Sequence, residues 1–95
     1  MRTYEQLTDE MVKYFAQKAT VQRLMVAKMN IERDLERVNV SLEITRSDKK
    51  MYRHTEFYER TEKIHLKLIT RKMRIYACLQ IVRHEMEART SSWKD

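Results

Sequence analysis

Ninety-five residues contain neither glycine nor proline. Ordinary usage would supply about seven glycines and five prolines per hundred residues. Glycine provides left-handed backbone at turns and helix ends, and proline stops helices by removing a donor and clashing with the preceding turn. A chain lacking both has few ways to reverse sharply and little to interrupt a helix. The expected fold is therefore all-α. Two long helices would form an antiparallel helical hairpin or coiled coil, and the hairpin would assemble into a dimeric bundle. The length suits one domain, 1–95.

Local signals divide that domain into a first helix over about 3–45, a bend at 45–50, a second helix over about 49–89 and a frayed tail at 90–95. Thr3 followed by Gln6 has the capping-box form and marks the start. Apolar residues then recur at helical spacing through Val21, Leu24, Ile31, Leu35, Val38 and Leu42. Tyr4, Leu7 and Met11 lie off that line, which implies curvature or a change of packing partner. Residues 38–45 alternate apolar and polar, the period of a strand. No second strand is visible to pair with them, so helix is favoured. Thr45-Arg46-Ser47-Asp48-Lys49-Lys50 is the best break, since Ser47 and Asp48 both cap helices well.

Charge is distributed unevenly. The net charge is +6, and residues 48–95 hold twelve Lys and Arg against seven Asp and Glu. No acidic residue occurs between Glu62 and Glu85. At about 100° per residue, Arg60, Lys63, Lys67, Arg71 and Arg74 fall within one arc of about 80°. Ile64, Leu68, Ile75, Leu79, Val82 and Met86 fill a neighbouring arc. Like charges three and four apart forgo the pairing that usually stabilises a helix surface. Such a ridge either pairs with acids of the first helix, such as Glu32, Glu36 and Glu43, or tracks phosphates. A second basic group, Arg46, Lys49, Lys50, Arg53 and His54, surrounds the expected bend with Tyr52 and Tyr58 nearby. Aromatic rings beside cations suit stacking on unpaired bases.

Other chemistries find no footing. Phosphate-cradling loops and nucleophile elbows need glycine. His54, His65 and His84 lack metal-ligand spacing, so neither metal nor cofactor is expected, and the chain is read as non-enzymatic. Lys28 and Lys72 lie near the centres of the apolar stripes, where a long stem packs and its ammonium reaches water. Cys78 has no internal disulfide partner and reads as a small buried residue of a reducing compartment. No apolar run reaches membrane-spanning length. The N-terminal sequence lacks a signal-peptide core, so a cytoplasmic location is expected, in the host if the protein is viral.

The expected function is a small basic nucleic-acid-binding protein contacting phosphates through Arg60, Lys63, Lys67, Arg71, Arg74, Lys49, Lys50 and Arg53. RNA or single strands are favoured, because no glycine-bearing recognition turn supports base readout. The alternative is a coiled-coil protein-interaction module (an adaptor, a structural subunit or a small phage-type inhibitor of a host protein) with an acidic partner.

Overall fold

The computed structural model describes residues 3–94. Among them the chain forms a 3-10 turn at Tyr4–Gln6 and three α-helices: α1 at Asp9–Lys18, α2 at Val21–Met51 and α3 at Tyr58–Lys94. The two long helices pack against each other in opposite directions. Lys49 of α2 meets His65 of α3 near the turn, and Glu32 meets Arg83 farther along. The molecule measures 60 × 22 × 18 Å, close to the ~55 Å rise of a 37-residue helix.

The first helix expected over 3–45 is broken twice, and threonine breaks it. The Thr3 amide donates to Gln6 Oε1 at 3.0 Å, but this cap starts only the single 3-10 turn. Thr8 and Thr20 take extended backbone, with ψ of 159° and 162°. Their hydroxyls accept from the amides of Met11 and Arg23, both at 3.2 Å. A threonine at this position satisfies one of the four orphan amides of a helix start. Ala19 is also extended, at ψ 150°, so two consecutive extended residues reverse the chain without glycine. α1 therefore folds back and runs in the same direction as α3, with Glu5 beside Arg71, Asp9 beside Arg74 and Ala16 beside Arg89. The off-line positions of Tyr4, Leu7 and Met11 follow, since they belong to a separate segment with its own partner.

Residues 38–45 are helical, as favoured. Val38, Leu42 and Thr45 are buried one turn apart, while Val40 and Ile44 point outward. The bend expected at 45–50 lies instead at residues 52–57, so α3 starts at Tyr58 rather than near 49. Thr45 explains the shift. Its hydroxyl donates to the Ser41 carbonyl at 2.7 Å, and its side chain continues the buried seam of Val38 and Leu42, so α2 runs on to Met51. His54 makes the reversal with φ 69°. Left-handed backbone costs a residue other than glycine about 1–2 kcal/mol, and histidine is among the side chains enriched there. Tyr52 and Phe57 bracket it with rings 5.8 Å apart. At the other end α3 remains helical through Lys94 rather than fraying from residue 90. Asp95, the last residue of that expected tail, lies outside the described residues.

Two apolar clusters hold these elements. Val12, Ala16, Ala19, Leu24, Cys78 and Val82 form one, where α1 joins α2 and α3. Ala16 and Ala19 are small enough for α1 to lie close, and Leu24 is wholly enclosed. Val38, Leu42 and Ile75 form the other, between the two long helices, with Tyr4 of the 3-10 turn packed against it. Toward the turn there is no third helix, and Val40, Ile44, Met51, Ile64 and Leu66 stay exposed.

Candidate nucleic-acid interface

The basic ridge on α3 divides into two parts. Its C-terminal part is paired. Arg71 Nε lies 2.8 Å from Glu5 Oε1, and Arg74 Nη1 lies 3.1 Å from Asp9 Oδ1. Arg74 also donates to the Leu7 carbonyl. The hydrogen bond from Arg71 holds the Glu5 carboxyl below its usual range. The acids that meet the ridge thus come from the folded-back N-terminal segment. Glu32 pairs instead with Lys28 and Arg83, at 3.7 and 3.8 Å. Glu36 and Glu43 form no ion pair with the ridge among the described residues. In the N-terminal part, Lys63 approaches Glu59 on its own helix at 3.9 Å, both widely exposed. Such a pair contributes ~0.3–0.5 kcal/mol. Arg60 and Lys67 are exposed and in no ion pair among the described residues.

The second basic group gathers at the turn. Arg46, Lys49, Lys50 and Arg53 line a cleft of about 310 Å³ with Tyr58 and His65. The continuation of α2 to Met51 holds Arg46, Lys49 and Lys50 on helix through the expected bend, and Arg53 lies in the turn that follows. Lys49 Nζ lies 3.3 Å from His65 Nδ1 and 5.9 Å from the Tyr58 ring centre. An ammonium only donates, so Nδ1 accepts and the ring proton sits on Nε2. That nitrogen is buried without a partner. Arg46, Lys50 and Arg53 are exposed and in no ion pair among the described residues. Between Arg46 and Lys67 the sequence places seven cations against four carboxylates. The surface that keeps uncompensated positive charge is thus the turn end, with Arg60 and Lys67 adjoining it.

Two side chains escaped the sequence reading. Arg89 reaches across to α1, donating to the carbonyls of Ala19, Ala16 and Gln17 at 2.7, 2.9 and 3.2 Å. Its place one turn beyond Val82 and Met86 on the apolar arc was the available signal. Tyr4 donates to Asp34, and burial, reinforced by that carboxylate, holds its phenol above the ordinary tyrosine range. Cys78 is buried as expected, and burial pushes its thiol up. Beside Tyr4 and Asp34 lies an apolar groove of about 480 Å³ bordered by Leu7, Met11, Phe15 and Ile31.

Among the described residues no helix is long and apolar enough to cross a membrane. No three His, Cys, Asp or Glu side chains among them form a group able to hold a metal ion. The class defined by this fold is an all-helical protein with two long helices packed together and a short third helix against them. No protein-family model matches the chain, and no curated protein or solved structure shows a match to it.

Proposed function

We propose that this protein is a non-enzymatic nucleic-acid-binding protein, acting as a dimer, that grips the phosphates of RNA or a single strand at its turn end. The observation carrying this reading is the convergence of Arg46, Lys49, Lys50 and Arg53 on one cleft without carboxylates paired to the three exposed cations. Arg46 and Lys50 are about one helical turn apart on α2, about 6 Å along its axis, a span that accommodates consecutive phosphates. Tyr58 lies at the cleft as a stacking surface beside Lys49. Arg60, Lys63 and Lys67 extend the track along α3. Arg71 and Arg74 are reassigned from that track to holding the N-terminal segment.

The test is a titration of labelled single-stranded RNA at two salt concentrations. Four phosphate contacts on a single strand give a slope of about −2.8 in log K against log salt, so affinity falls about 50-fold between 50 and 200 mM. Replacing Arg46, Lys50 and Arg53 together by Gln lowers that slope by about two and leaves the helical circular-dichroism signal unchanged. Affinity indifferent to salt, or a triple variant that binds like the parent, refutes the proposal. Capture of an acidic protein that survives nuclease and high salt would favour the interaction-module alternative.

A further inference from the structure

One flank of α3 repeats the pattern of its buried seam but faces no other element among the described residues. Leu66, Ile69, Met73 and Tyr76 follow each other at spacings of three, four and three. The enclosed seam of Leu68, Ile75, Leu79 and Val82 has the same heptad character, and that seam packs on a helix. The outer four are 58, 36, 68 and 51% exposed. α1 does not reach them, because it lies along the other side of α3 by Arg71, Arg74 and Cys78. A heptad-spaced stripe is the shape another helix fills, knob into hole.

We propose that this stripe is the seam through which α3 pairs, antiparallel, with α3 of a second copy. Area and charge both favour that occupant. The four side chains expose roughly 400 Å² of largely apolar surface per chain, the scale at which a patch marks an interaction site. Two copies bury at most about 800 Å² through these anchors, so a stable interface of ~1,200–2,000 Å² requires flanking contact along α3 as well. An antiparallel pairing centred on residue 71 sets Leu66 opposite the partner's Tyr76 and Ile69 opposite the partner's Met73, so every apolar position meets an apolar one. The next seam positions are Glu59 and Glu62 at one end and Gln80 and Arg83 at the other. Antiparallel pairing places Glu59, which also meets Lys63, opposite the partner's Arg83, which also meets Glu32 within its own chain, and Glu62 opposite the partner's Gln80. A parallel pairing sets each glutamate against itself and each arginine against itself, which costs stability. Thr70 and Ala77 on the outer flank are small and let the helices approach. On α2 the outward apolar residues are divided, with Val21, Met25, Val26 and Met29 at one end separated from Val40 and Ile44 by Arg33 and Arg37.

This inference rests on the dimeric part of the function proposed above and adds its geometry. The two turns lie at opposite ends, about 50 Å apart along the α3 pair at 1.5 Å per residue. Lys49, level with His65, lies about 18 Å along that axis from its counterpart.

Sedimentation equilibrium of the full chain reads the outcome. The expected mass is twice the 11.7 kDa of one chain. Ile69→Glu with Met73→Glu halves it while helicity and salt-dependent RNA binding persist, and Val40→Glu with Ile44→Glu on α2 leaves it unchanged. In a Cys78→Ala background, a mixture of Glu62→Cys and Gln80→Cys chains forms a mixed disulfide, and Glu62→Cys alone forms none. A parent chain that stays monomeric at high micromolar concentration overturns the inference and assigns the stripe to a different protein. A dimer that survives Ile69→Glu with Met73→Glu overturns the seam alone. Loss of RNA binding in the turn variant, with the dimer intact, bears on neither.

Discussion

Arg89 is the side chain on which the attachment of α1 most depends. An α-helix ends with carbonyls that have no partner in the helix and carry its negative dipole end. α1 ends on Ala19 with extended backbone, and the Arg89 guanidinium takes the carbonyls of Ala16, Gln17 and Ala19 while Nε pairs with Glu85 at 3.1 Å. Ala16 and Ala19 are buried residues of the main apolar cluster. Arg89→Met keeps the apolar stem and removes all three caps. A hydrogen bond to a charged group contributes about 1.5–3 kcal/mol. The Arg89 side chain is 25% exposed, so water recovers part of what three such bonds suggest, leaving a net loss of about 2 kcal/mol. For a domain of this size that is roughly 8–16 °C in Tm. Arg89→Lys retains charge without the fork geometry and should lose about half as much. Urea unfolding gives the loss, and hydrogen exchange locates it, with α1 amides losing protection before those of α2 and α3. A loss under about 0.5 kcal/mol, the level of an ordinary surface substitution, would refute the assignment of Arg89 as the clasp of α1.

Further outcomes follow from the same contacts. Glu5→Gln with Asp9→Asn removes the carboxylate charges that neutralise Arg71 and Arg74, so RNA binding should tighten at low salt and its salt slope should steepen by up to about 1.4; an unchanged slope would mean those arginines never face phosphate. The Glu5 carboxyl is held below its usual range by Arg71. Its contribution to stability is therefore complete above the ordinary glutamate value of 4.5 and fades as pH falls through its lower native value, a fade that Glu5→Gln should abolish in acid-denaturation curves. Tyr4 titrates in the opposite sense. Its phenol is raised above 10.0, so its contribution is complete below pH 10 and fades as the unfolded phenol ionises above it. The stability difference between the parent and Tyr4→Phe should shrink above pH 10; a constant difference would show that Tyr4 stays clear of Asp34 in solution.

The absence of glycine and proline determined that the chain is helical, because propensity and period both act locally and nothing in the sequence opposes them. Leu24, Ile31, Val38 and Leu42 marked the packed face of α2 for the same reason, and residues 38–45 kept to helix because no strand was present to pair with them. Where the helices stop was decided elsewhere. Thr8 and Thr20 are weak punctuation in isolation, and they became helix starts because a reversal at Ala19 lets Val12 and Ala16 meet Cys78 and Val82. Ser47 and Asp48 are better caps than anything in the observed turn, yet burial of Thr45 carried α2 past them and left His54 to take the left-handed position. The cations themselves were legible as residues on one face, but their partners were not. Glu5 reaches Arg71 and Asp9 reaches Arg74 across more than sixty residues of sequence. Charge compensation is a property of what lies within a few ångströms, and only the packed chain brings those carboxylates to α3 while leaving the turn end uncovered.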